Sequence, residues 1–357
     1  MPNNRWRYNI ILWLIGGVMA FKLAAQVRPT KVIIRSDAPT VYNVVKGDTL
    51  WDISELFLND PWLWPRLWRD NPDIINPHLI YPGDSIRIHY IDGKPQLQIL
   101  RAKPSLTLTP KGKRTVKMPE PIRNFNWHKV LAQLNQDRLL NLSERGHGRI
   151  LGNQNGSLLF TKPDTLFAQF PQNWSVGQFH AVRESHILYS IDGKPLATVA
   201  HHIADVEVAE LHNKQQGLVS VVEQNKEIMQ GDWLLPSQTI LPEDLFLHAA
   251  QEEVGVVIGG LEPREIFAQG DIVIVQHTEP LSLGLIMGLY QAGPDIQHTV
   301  QRTIYVDESS WLVRGGMHQP DFKVGEVVIV HSQANLSYGY VLNAQSAISI
   351  GALSGRP

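Results

Sequence analysis

Beyond about Leu151 the chain is a succession of short apolar runs, HILYS, DVEVAEL, GLVSVV, VGVVI, DIVIV, TIYV and EVVIV, set apart by Gly, Asp, Asn and Pro. No helical period is sustained there, so the pattern predicts short β-strands from Leu151 to Ser354. Two earlier stretches read differently. Val41 to Val45 alternate and give way to Leu50, Ile53 and Phe57 on one helical face, with Thr49-Leu-Trp-Asp52 fitting a capping box at the start. A second helix is expected from Pro65 to Asn71, stopped by Pro72, with Leu67 and Trp68 packed inward. Tyr81-Pro-Gly-Asp-Ser-Ile-Arg-Ile then turns into a strand with Ile86 and Ile88 on one face. The expected order over 41–89 is strand, helix, helix, strand. Further on, Trp127, Val130, Leu131 and Leu134 lie at helical spacing behind Asn126, a good N-cap, and predict one short helix.

The β-rich part carries an internal echo. At a spacing of 55 residues, Phe267, Gly270, Val273, Ile274, Val275, Leu281, Ser282 and Gly284 match Phe322, Gly325, Val328, Ile329, Val330, Leu336, Ser337 and Gly339. A shorter version occurs at Ile228-Met-Gln-Gly231-Asp232. The expected unit is a Gly-Asp or Gly-Glu turn feeding a buried strand, because glycine accepts the positive φ that such a turn demands. This reading gives repeated small barrel or sandwich units, at about 255–295 and 310–350, whose sheet edges could recruit a partner strand. The segment IDGKP occurs twice, at Ile91 to Pro95 and Ile191 to Pro195, where Asp-Gly between extended runs signals a type I′ hairpin.

Composition narrows the function. The 357 residues are 43% hydrophobic and 18% charged with net charge −2, which excludes a disordered chain and leaves no field of one sign to draw it onto nucleic acid. Cysteine is absent, so disulfides, thiolate metal sites and cysteine-nucleophile enzymes are excluded. Arg5 and Arg7, the apolar run Ile10 to Phe21, and Leu23-Ala24-Ala25 read as a secretory signal over residues 1–25, cleaved after Ala25. The run is short for a spanning helix, and membrane contact is expected only if it stays uncleaved. Residues 101–121, RAKPSLTLTPKGKRTVKMPEP, hold four prolines and six basic residues against one acid, and read as an extended basic linker to a region 122–357.

The motif VVKGDTLWDIS, with Asn71-Pro72, Asn76-Pro77 and YPGDSIRI, resembles the LysM domain family, and the resemblance covers residues 41–89. It implies a βααβ fold that binds N-acetylglucosamine units of peptidoglycan or chitin and does no catalysis. It places the sugar groove between Gly47, Asp48, Thr49, Leu50 on one side and Ile74, Ile75, Asn76, Pro77 on the other. Each of these also has a purely structural reading: Asp48 and Thr49 as helix caps, Asn76 as a turn residue, Leu50 as core. Trp51, Trp62, Trp64 and Trp68 read as packing residues, with a sugar platform open to one of them. The insertion Asn59-Asp-Pro-Trp-Leu-Trp departs from the shortest members of the family and affects the groove's shape.

Catalytic signatures are few. His201-His202-Ile-Ala-Asp205 has the His-x-x-x-Asp spacing of LytM-type zinc endopeptidases, but no His-x-His accompanies it and the flanking DVEVAEL reads as a strand. Glu184-Ser185, the pair used by lytic transglycosylases, sits in a hairpin pattern where those enzymes use a helix. No His-Glu-x-x-His or Gly-x-Ser-x-Gly is present. The expectation is an α+β multidomain, non-enzymatic protein without metal or cofactor, exported to the periplasm or cell wall. It binds peptidoglycan and presents residues 122–357 as a scaffold or to an envelope partner. The alternative is a peptidoglycan hydrolase, or a hydrolase activator, targeted by its LysM module.

Overall fold

A computed structural model describes residues 32–64, 67, 80–91, 93–101, 107–108, 114–115, 125–141, 148–171, 176–213, 215–237, 245, 247–298, 303–306, 317 and 319–357. The expected signal segment, most of the linker, and Ile74 to Pro77 lie outside these residues. Among the described residues no helix is long and apolar enough to cross a membrane. The chain divides into two compact units, 1–122 and 123–357.

In the first unit, β1 (Val41–Asn43), β2 (Ser85–Ile91) and β3 (Lys94–Leu100) form one antiparallel sheet. The third strand comes from the IDGKP hairpin: Ile91 pairs with Lys94 and Gly93 turns the chain at φ +76°. Helix α1 (Leu50–Phe57) starts at Thr49, whose Oγ1 accepts from Asp52 N (3.1 Å) while Asp52 Oδ2 accepts from Thr49 N (3.1 Å), a complete capping box. Leu50, Ile53 and Phe57 are buried on one face with Ile86 and Leu97 of the sheet. A 3-10 turn, Pro61–Leu63, follows with Trp62 and Leu63 buried. Of the expected second helix, Leu67 packs into this core, and all its other residues lie outside those described.

The second unit is strand-rich. Among its described residues it has one helix, α2 (Trp127–Leu134), with Trp127, Val130 and Leu134 buried as their spacing predicts. Its first sheet uses β4 (Asp137–Asn141), β5 (Gly148–Asn153), β7 (Thr165–Gln169), β8 (Gly177–Tyr189), β9 (Pro195–Asn213), β10 (Gln216–Gln224) and β12 (Trp233–Pro236), beside a two-stranded pair of β6 (Leu159–Phe160) and β11 (Ile228–Met229). The order is β8-β12-β5-β7-β10-β9-β4, and β8 also pairs with β9, so the sheet closes on itself as a barrel with β4 added outside the ring. The second sheet uses β13 (His248–Ala249), β14 (Gly255–Gly260), β16 (Ile272–His277), β17 (Leu285–Ala292), β18 (Asp321–Gln333), β19 (Leu336–Ala344) and β21 (Leu353–Gly355), beside a pair of β15 (Ile266–Phe267) and β20 (Ile348–Ser349). Its order is β13-β17-β18-β19-β16-β14-β21, with β17 pairing β21. The two rings have the same topology: β5, β7, β8, β9, β10 and β12 take the places of β14, β16, β17, β18, β19 and β21.

Closure leaves fewer free edges than a row of open sheets would, which removes most of the basis for edge recruitment. The match at a spacing of 55 also takes on a different meaning. It joins β16 to β18, two strands that flank β19 within one ring, and the matched glycines do different jobs. Gly270 turns the chain at φ +91°, whereas Gly325 lies inside a strand where a Cβ would come 2.5 Å from the Asn343 carbonyl. The topological counterparts are instead Phe160 with Phe267, Asp164 with Asp271, and Gly231 with Gly351, all found in the same places of successive rings.

The Gly-Asp turn itself recurs. Asp48, Asp84, Asp164, Asp232 and Asp271 each accept, through Oδ2, from the backbone N–H three residues earlier at 2.8–3.1 Å. Four of them follow a glycine at φ between +91° and +105°, and Asp164 follows Pro163. Residues 125–141 bind both rings. Gln133 Nε2 donates to the Gly270 carbonyl and Leu139 N to Tyr338 Oη (2.8 Å), while β4 pairs with β9 from Asn141 opposite Ala197 to Asp137 opposite His201.

Candidate functional site

The loop from β1 to α1 is built by its own backbone needs. Asp48 Oδ2 accepts from Val45 N (2.8 Å) and from Tyr42 Oη (3.0 Å), and burial, then this carboxylate, pushes the Tyr42 phenol up. Gly47 sits at φ +105° with open space around its Cα, so the tip of the loop is exposed backbone at Val45, Lys46 and Gly47. Thr49 and Leu50 are each 3% exposed. The Thr49 hydroxyl is taken up by the helix start and Leu50 by the core, so these two residues offer a ligand backbone rather than side chain. Asp48 is half-buried. Ile74, Ile75, Asn76 and Pro77, expected to face this loop, lie outside the described residues. Trp51 and Trp62 are buried, Trp64 is half-buried, and Trp68 is not described.

A second constellation sits on the first barrel. On β9, Ala204 pairs with Ala181 of β8 and His202 with Val182, leaving Ile203 as an extra residue. This bulge turns His202 and Asp205 to the same face, which plain alternation over three residues would not do. Asp205 lies directly opposite His180. His180 Nδ1 is 2.6 Å from Asp205 Oδ1, His202 Nε2 is 2.9 Å from the same oxygen, and the two ring nitrogens are 3.2 Å apart. Their outer nitrogens are held by Ser237 Oγ and Asn225 Nδ2, each at 3.0 Å. Burial pushes the His180 imidazole down despite Asp205 beside it.

His201 goes the other way and hydrogen-bonds Asp137 of β4, whose carboxyl is raised by burial. The spacing His201-x-x-x-Asp205 therefore does not describe a cluster. The strand position expected for these histidines is found, but the partner of His202, His180, lies on the neighbouring strand, where no local spacing could point to it. Glu184 and Ser185 are exposed on β8, in a strand as expected. Arg183 Nε and Nη2 grip Asp232 at 2.8 Å each, which raises the guanidinium further.

Comparison with known proteins bears on the first unit. The uncharacterized protein YqbP of Bacillus subtilis (strain 168) is 37% identical over 71 residues, an alignment covering 17% of this chain and 30% of that relative. The chain therefore spans under a third of the length of the curated relative it matches, and that relative's name assigns no function. The family model of the LysM domain matches residues 42–89. This domain binds glycans such as peptidoglycan and is not catalytic, and it is typical of extracellular and cell-wall proteins. The sheet, the capped helix and the exposed Gly47 loop at these positions agree with that match, and residues 42–89 are a LysM domain.

Proposed function

We propose that this protein is a non-enzymatic, exported peptidoglycan-binding protein of the bacterial envelope. Its LysM domain holds N-acetylglucosamine-containing strands, and its double-barrel region is a scaffold or the part that an envelope partner binds. The observation that carries the reading is the LysM match at 42–89, on a loop whose exposed tip at Lys46 and Gly47 offers backbone hydrogen-bonding groups to a neutral sugar. The LysM resemblance assigns the facing wall of the groove to Ile74, Ile75, Asn76 and Pro77. The buried Thr49 and Leu50 set the loop's shape, and the contacts they give are through the main chain. The N-terminal Arg5, Arg7 and the apolar run to Phe21 support export.

The test is co-sedimentation of the full mature chain with peptidoglycan sacculi. Because Thr49 caps α1, a substitution there would unfold the helix start as well as alter the groove, so Asn76→Arg is the cleaner variant. Wild type is expected to pellet with sacculi and Asn76→Arg to stay in the supernatant. The supernatant is analysed for released muropeptides in the same experiment: a wild type that stays soluble defeats the glycan reading, and muropeptide release shows a hydrolase.

A further inference from the structure

From the first barrel, we infer a transition-metal site of the zinc class, formed by His180 Nδ1, His202 Nε2 and Asp205 Oδ1. The three atoms converge at 2.6, 2.9 and 3.2 Å across two hydrogen-bonded strands. Two imidazoles and one carboxylate are a donor set for Zn(II), Co(II) or Ni(II) rather than for Ca(II) or Mg(II), which take oxygen ligands. Ligand atoms around a tetrahedral zinc with bonds of about 2.0–2.1 Å lie roughly 3.3 Å apart, so the cluster needs to open by about 0.7 Å at its shortest edge and about 0.4 Å at the next. The side chains are 17%, 11% and 38% exposed, so an ion can enter, and a fourth position faces solvent for water or a partner's group.

Two further observations support a cation here. The first is the outer shell. Ser237 Oγ lies 3.0 Å from the far nitrogen of His180, where it can accept that nitrogen's proton and leave Nδ1 to the ion, and Asn225 does the same for His202 once its amide turns to present Oδ1 in place of Nδ2. The second is the other barrel. There Lys323 pairs with Tyr290 and Gly325 with Leu289, which leaves Val324 as the bulge residue in the place of Ile203. In both barrels the bulge carbonyl accepts from two successive N–H groups, Asn225 and Lys226 for Ile203, and Gln345 and Ser346 for Val324. Lys323 and Glu326 thus stand where His202 and Asp205 stand, and Lys323 Nζ lies 2.5 Å from Glu326 Oε1. The place of His180 is taken by Gly288, where a Cβ would meet the Arg356 carbonyl at 2.8 Å. The second barrel answers its carboxylate with a covalently attached ammonium. The first has two nitrogen donors and no lysine at these three places, and a divalent ion there would set its charge directly against Asp205.

The test uses the full chain, free of any affinity tag and stripped with chelator. Titration with Co(II), followed by its d–d absorption, and with Zn(II), followed by calorimetry, is expected to show one tight ion per chain. His202→Gln and Asp205→Asn should lose that ion, whereas His201→Gln, one residue away on the opposite face, should keep it. Asn225→Ala and Ser237→Ala should weaken it by about 10- to 100-fold. Circular dichroism checks each variant's fold. X-ray absorption of the zinc-loaded wild type, which should show two imidazoles, gives the answer should a ligand variant not fold. A wild type that takes up no ion overturns the proposal, as does binding that survives Asp205→Asn or is equally lost in His201→Gln. In those cases the cluster is a hydrogen-bonded triad with Asp205 accepting from both rings.

Discussion

The two barrels share ring order, an accessory two-stranded pair, a buried phenylalanine at Phe160 and Phe267, and a bulge at Ile203 and Val324, yet they treat the surface beside that bulge in opposite ways. One places His180, His202 and Asp205 there and the other Gly288, Lys323 and Glu326. The core and the turns of a barrel constrain sequence through packing and backbone φ. A position on the outer face, aimed by a bulge, is free to change chemistry without changing the ring.

The largest effect expected from breaking this correspondence is in the cores. Phe160→Ala and Phe267→Ala should each cost about 3–5 kcal/mol in denaturant unfolding, since both rings are buried in equivalent clusters. Costs differing severalfold would show that the two positions are not equivalent. Next comes a turn whose side chains differ. Asp232, 4% exposed, is gripped by Arg183, whereas its counterpart Ala352 needs no partner and the counterpart of Arg183, Gln291, accepts from Ser349 N at 3.3 Å. Arg183→Ala should therefore cost about 2–3 kcal/mol, and Gln291→Ala less than about 1 kcal/mol, by the same assay.

Smaller still is the glycine of the shared turn. Gly47→Ala and Gly270→Ala meet no atom closer than 3.9 Å, so each should cost only the positive-φ strain, about 1–2 kcal/mol. Equal losses in the LysM domain and the second barrel would confirm one turn used twice. The smallest expected effect is on pH. Burial lowers the imidazoles of His186, which reaches the Gly260 carbonyl, and His277, which bonds Ser337. A lowered folded-state value means that unfolding takes up protons, so their contribution is complete above the ordinary histidine value of about 6.5 and is lost as pH falls below it. Thermal midpoints of the second unit should drop between about pH 7.5 and pH 5.5; a flat profile would contradict this.

What could be read from the sequence was local. Thr49 and Asp52 announce the capping box, Trp127 to Leu134 announce α2, and the Gly-Asp turn appears four times, its Asp bond recurring once more behind Pro163, whereas the expected Gly-Glu turn at Gly325 lies inside a strand. The hairpin at Ile91 closes with the two-residue loop its Asp-Gly signals. The one at Ile191 is longer, with Ser190 N donating to the Lys194 carbonyl. What depends on distant strands was not legible. The identities at a spacing of 55 reflect strands with a common need for small and β-branched residues around β19. The ring closure sets pairings such as β8 with β12 that no periodicity encodes. His180 illustrates the same limit, since its relation to Asp205 depends on register and its relation to His202 on one extra residue in the strand.

The central claim, that residues 42–89 bind N-acetylglucosamine chains through the loops at 47–50 and 74–77, is tested most directly by amide NMR of the labelled full chain titrated with an N-acetylglucosamine oligomer. The account predicts saturable shifts at Gly47, Asp48, Thr49, Leu50, Ile74, Ile75 and Asn76, with residues 148–357 unmoved. Shifts confined to the barrels, or none at saturating oligomer, would contradict it.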